Sequence, residues 1–122
     1  LIKLLEGNQI EQIGVEGEER LVDITHFNLP AKDLIEVTKD MDRFISVENF
    51  FPHFVNYNFP DKKGVVIFSK SDPEIFGYPQ NINYLKDKQY LRWDQFGPWE
   101  CTDFVPESFP EPVDILNALI KS

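Results

Sequence analysis

Proline and glycine cut this chain into short pieces, and that restricts it to short elements. Breakers stand at Asn28-Leu29-Pro30, across Pro60 to Gly64, at Pro73, Gly77 and Pro79, at Gly97-Pro98, and at Pro106, Pro110 and Pro112. Proline lacks a backbone donor and is excluded from helix interiors and central strands. The longest unbroken apolar run, Val65 to Phe68, falls far short of the ~20 residues a membrane helix needs. No basic start followed by an apolar stretch marks a signal peptide.

Between the breakers, strand and helix periods can be told apart. Ile2, Leu4, Leu5, Ile10 and Ile13 lead to Gly14, and Val15 to Glu19 make a polar, glycine-bearing turn. Leu21 to Phe27 resumes with apolar residues near every second position, among them Val22, Ile24 and the β-branched Thr25. Alternation on both sides of a glycine turn predicts a hairpin. Asn28 then caps a helix, with Pro30 in its first turn. That helix runs from Ala31 to about Ile45, with Leu34, Val37, Met41, Phe44 and Ile45 on one stripe.

His53 to Phe59 alternates as a strand, and the turn Pro60 to Gly64 joins it to Val65–Phe68 in a second hairpin. Val65 to Phe68 is apolar on both faces, as in a central strand. Ser71 to Asn81 reads as a loop, Ile82 to Asp94 as a third hairpin and Trp99 to Val105 as a last strand. Val113 to Ile120 closes the chain as a short helix with Val113, Leu116, Leu119 and Ile120 on one side. So short a helix must dock to persist. The expected fold is α+β: an antiparallel sheet of five or six strands, packed by one amphipathic helix and the C-terminal helix. The 122 residues suit a single globular domain, residues 1–122.

No catalytic constellation emerges. The two histidines, His26 and His53, are far apart in sequence and form no metal motif. Asp40-Met41-Asp42 lacks the spaced oxygens of a calcium loop. Cys101 sits among Glu100 and Asp103, whose charge opposes a thiolate. Ser46, Ser69, Ser71 and Ser108 occupy no nucleophile elbow. No cofactor motif is present. One cysteine cannot form an internal disulfide, which favours a reducing compartment and places the chain in the cytoplasm.

Charge decides the functional reading. Twenty-one acids face twelve bases, a formal charge of -9. Such a chain repels nucleic acid and attracts basic macromolecules. The acids gather toward the ends. Glu6, Glu11, Glu16, Glu18 and Glu19 lie between Lys3 and Arg20 with no base among them. Asp94, Glu100, Asp103, Glu107, Glu111 and Asp114 face only Arg92 and Lys121. Tyr90, Trp93, Phe96, Trp99 and Phe104 accompany that second group. Aromatic rings anchor interfaces, and acids around them steer a basic partner.

The expected partner-binding residues are therefore Glu16, Glu18, Glu19, Trp93, Asp94, Trp99, Glu100, Asp103 and Glu107, with no catalytic or metal site. The expected function is an acidic protein-binding domain that occludes a basic toxin or nuclease, acting as a monomer or weak homodimer. In kind this resembles the small acidic immunity proteins of bacterial competition systems, although no motif ties the chain to a family. A small enzyme using carboxylates with His26 or His53 is one alternative. A scaffold domain that self-associates through its aromatic segment is the other.

Overall fold

A computed structural model describes residues 5, 7–14, 16–92, 94–95 and 106–121, the last by its backbone alone. The chain divides into two compact units, Leu1–Met41 and Asp42–Ser122.

In the first unit, β1 (Glu11–Gly14) and β2 (Ile24–Phe27) pair side by side. They run parallel, in the register Glu11 to Ile24 and Gly14 to Phe27. The expected hairpin is therefore corrected: alternation marks which residues face which side but carries no strand direction. Residues 15–23 must return along a strand of roughly 13 Å, which nine residues, extending to about 30 Å, can do without a helix. Helix α1 (Ala31–Asp40) follows, with Pro30 at its N-cap position and no side-chain cap. Asp33 in the first turn and Lys39 in the last suit the helix dipole. Leu34 and Thr38, one turn apart, are its buried residues.

The helix stops earlier than its apolar stripe. Met41 is extended, and Phe44 and Ile45 belong to the next strand. The run Phe44-Ile45-Ser46-Val47 carries β-branched and aromatic residues that favour a pleated surface over another helical turn.

The second unit is built on a three-stranded sheet in the order β3-β4-β5: β3 (Arg43–Val47), β4 (Lys63–Phe68) and β5 (Ile82–Leu85). Both pairings are parallel. The described residues thus hold two small parallel sheets and no antiparallel sheet of five or six strands. Helix α2 (Phe50–Asn58) makes the first crossover, and the one-turn α3 (Pro73–Phe76) lies within the second.

The segment expected as a strand, His53 to Phe59, is thus helical up to Asn58, with Phe59 as the C-cap. Asn49 caps it, accepting from the Phe51 amide at 3.0 Å, and Pro52 sits where a missing donor costs nothing. Burial follows the helical period, with Phe51 and Val55 inside and Tyr57 outside.

As the sequence predicted, β4 is central, and Gly64 to Phe68 are all buried. A run buried on both faces is characteristic of parallel sheets covered by helices. Phe68, Val55, Val65 and Val66 are almost fully enclosed, each contributing about 1.5–3 kcal/mol. Gly64 pairs with Phe44 across the sheet, and its missing Cβ is what admits the Phe44 ring. That ring meets Phe51 edge-on at 5.5 Å, which ties α2 to β3.

Of the third hairpin the described residues form only β5. A 3₁₀ turn at Lys88–Tyr90 replaces its second strand, with Asp87 accepting from the Gln89 amide. The strand expected at Trp99 to Val105 lies outside the described residues. A second 3₁₀ turn spans Pro106–Ser108. Helix α4 (Pro112–Lys121) closes the chain as expected and packs on β4 and β5. Its buried face is turned from the expected one: Ile115 and Ala118 are inside, while Val113 and Ile120 are exposed. No described helix is long and apolar enough to cross a membrane.

Candidate functional site

Of the expected partner-binding residues, Glu16, Glu18 and Glu19 fall together on the crossover between β1 and β2. All three are exposed. Asp94 and Glu107 are also exposed but belong to the second unit. Trp93, Trp99, Glu100 and Asp103 lie outside the described residues. The first unit carries nine acids against four bases in 41 residues, so the acid excess is densest there.

The crossover is braced by one side chain on β1 and one just past β2. Gln12 on β1 donates from Nε2 to the Glu19 carbonyl at 2.8 Å. Its Oε1 accepts from the Leu21 amide, also at 2.8 Å. One side chain therefore holds the backbone on both sides of Arg20. Asn28, just past β2, accepts from the Glu16 amide at 3.2 Å. Its own amide bonds the Gly14 carbonyl at 3.1 Å, and its φ of 54° is the left-handed conformation that asparagine tolerates. Asn28 thus secures the crossover instead of capping α1, which corrects its expected role.

Gly17, at φ 102°, makes the reversal that a β-carbon would strain. The Thr25 hydroxyl donates to the Val22 carbonyl at 2.6 Å. The guanidinium of Arg20, the one base between Glu11 and Asp23, turns back onto the Val22 and Asp23 carbonyls. Two of its donors, on Nε and Nη2, thus engage the backbone of its own loop.

Two exposed apolar side chains follow the acids along the chain. Leu21 is 56% exposed and Ile24 41% exposed. Next to them His26 meets Glu11, Nε2 to Oε1, at 2.9 Å. The arrangement is a hydrogen-bonded loop that carries three exposed glutamates and is followed by two exposed aliphatic side chains, with the Glu18 carboxylate folded back over Gly14. It can offer charge and a dry contact to a cationic surface, and its order lowers the entropy lost on docking. Sequence reasoning found the acids but missed Gln12, Asn28, Leu21 and Ile24. The readable signal was Asn28, a residue suited to turns that stands before a helix which already starts with proline.

The second unit holds a cleft of about 190 Å³ at the carboxyl ends of β3 and β4, lined among others by Val47, Glu48, Ile67, Lys70, Ser71 and Phe109. Small-molecule sites usually occupy about 300–1,000 Å³. The Ser71 hydroxyl donates to Glu48 Oε2 at 3.2 Å and accepts from Arg92 at 3.3 Å, so these polar groups hold the loops to one another. Neither histidine lines this cleft: His53 Nδ1 bonds the Tyr78 hydroxyl at 2.6 Å. Among the described residues no group of three or more His, Cys, Asp or Glu is placed to hold a metal ion. Comparison with protein-family models, curated proteins and solved structures finds no match for this chain.

Proposed function

We propose that the chain is an acidic protein-binding domain that occludes a basic partner, in the manner of an immunity-type inhibitor of a toxin or nuclease. The observation that carries this reading is the braced crossover, which carries Glu16, Glu18, Glu19 and Leu21 exposed and leads into exposed Ile24. A nuclease is cationic where it holds phosphates. Fixed carboxylates raise the rate of encounter with such a surface, and the aliphatic pair gives the docked state a desolvated centre. The single cysteine, Cys101, suits a cytoplasmic setting.

Calorimetric titration with a cationic nuclease at about 0.05 M and about 0.3 M salt tests this. The expected result is inhibition of the nuclease and affinity that falls with salt. Replacing Glu16, Glu18 and Glu19 together by glutamine is expected to weaken binding roughly 3- to 150-fold, at about 0.2–1 kcal/mol per exposed ion pair. Absence of binding at low salt, or binding that salt leaves unchanged, refutes the reading.

A further inference from the structure

Charged residues make up 27% of the chain, yet residues 49–60 and 75–85 contain none. They are the two longest charge-free runs in the sequence, and the second unit lays them side by side. His53, on α2, meets Tyr78 with ring centres 5.3 Å apart at 78°. Gln80 Nε2 donates to Asn56 Oδ1 at 2.6 Å. The outer side of α2 carries Phe50, 61% exposed, and Tyr57, 87% exposed, with exposed His53 between them. Spacings of three, four and seven place these on one helix face. Phe54 continues the ridge, its ring 6.4 Å from Phe50. Exposed Pro79, between Tyr78 and Gln80 that contact α2, carries it onto the second run. Scattered exposed hydrophobes need no explanation, but a contiguous aromatic patch does.

We propose that this uncharged ridge is the self-association face of the chain, meeting the same face of a second copy about a two-fold axis. Two copies of charge -9 repel across any surface that carries the acids. The side chains of this ridge themselves bring no charge to such a contact. A two-fold contact also requires a patch that complements itself. Aromatic rings do so edge to face, and Asn and His carry groups that both donate and accept.

The area sets the strength. Aromatic side chains bury about 150–250 Å² each, so Phe50 and Tyr57 at their exposures supply roughly 300 Å² per copy. Neighbouring residues raise this to about 400 Å², and the roughly 800 Å² total lies below the ~1,200 Å² of stable complexes. The dimer is therefore weak and forms at high concentration. It does not depend on the acidic crossover, which lies in the other unit.

Sedimentation equilibrium of the full chain from about 10 μM to about 1 mM tests the proposal. The average mass is expected to rise from 14.3 kDa toward twice that value. The rise is expected to be steeper at about 0.5 M than at about 0.05 M salt, because screening removes the repulsion between copies. Tyr57→Glu is expected to lower the association constant at least ~10-fold. Ile120→Glu, on the exposed side of α4, is expected to leave it unchanged. Circular dichroism verifies that each variant folds, and Phe50→Ser serves in place of a Tyr57→Glu that does not.

A chain that remains monomeric at the top concentration in high salt overturns the proposal. So does a folded Tyr57→Glu that associates like the parent. A monomer that floats with neutral phosphatidylcholine vesicles assigns the ridge to a lipid surface and also overturns it.

Discussion

Gln12→Ala separates the order of the acidic crossover from its charge. The substitution removes two hydrogen bonds of 2.8 Å, one to the Glu19 carbonyl and one from the Leu21 amide. Each contributes about 0.5–1.5 kcal/mol net, and the surroundings are exposed, so the expected local loss is about 1–2 kcal/mol. Exchange of the Leu21 amide with solvent deuterium should then speed up roughly 5- to 30-fold, because its acceptor is gone and the loop opens more often. No carboxylate changes, so the association rate with a cationic nuclease and its salt dependence should stay the same. The dissociation rate should rise by a similar factor, because the loop must now be ordered on docking. Gln12→Glu retains an acceptor for Leu21 and should keep that amide protected. Pulsed hydrogen exchange and stopped-flow binding read the two halves separately. Faster exchange with unchanged dissociation would refute the link between order and affinity. Unchanged exchange at Leu21 would refute the brace itself.

Three further outcomes test the second unit. Gly64→Ala places a methyl against the buried Phe44 ring and should destabilise by about 1–3 kcal/mol in a denaturant melt. Asn81→Ala removes the side-chain acceptor of the buried Gly64 amide, bonded at 3.1 Å, and should cost about 1–3 kcal/mol in the same assay. Asn49→Ala deletes the cap of α2 and should cost about 1 kcal/mol, read as a lower melting temperature and faster amide exchange at Phe51.

The α+β character was legible in this sequence, and so were the central strand and the C-terminal helix. Val65 to Phe68 is apolar without interruption, and that continuity already argues for burial on both faces. Strand direction was not legible, because antiparallel and parallel strands share the period of two. Direction depends on what lies between strands, and α2 was hidden by its own composition. Phe54, Val55, Tyr57 and Phe59 are aromatic or β-branched and read as a strand. The cap Asn49 and the first-turn Pro52 outweigh that preference, and packing against Phe44 completes the helix. At the candidate site the carboxylates were legible from charge alone. Their scaffold was not, because the bonds of Gln12 and Asn28 join residues that only the crossover brings together.

The claim that the crossover of the first unit docks a basic macromolecule is tested most directly by nuclear magnetic resonance, with amide shifts followed during titration of a cationic nuclease into the labelled chain. The account predicts that the largest shifts and broadening fall on residues 16–24 and vanish as salt rises. Perturbations centred on α2 or on the cleft beside Glu48 and Ser71, with the crossover unmoved, would contradict it.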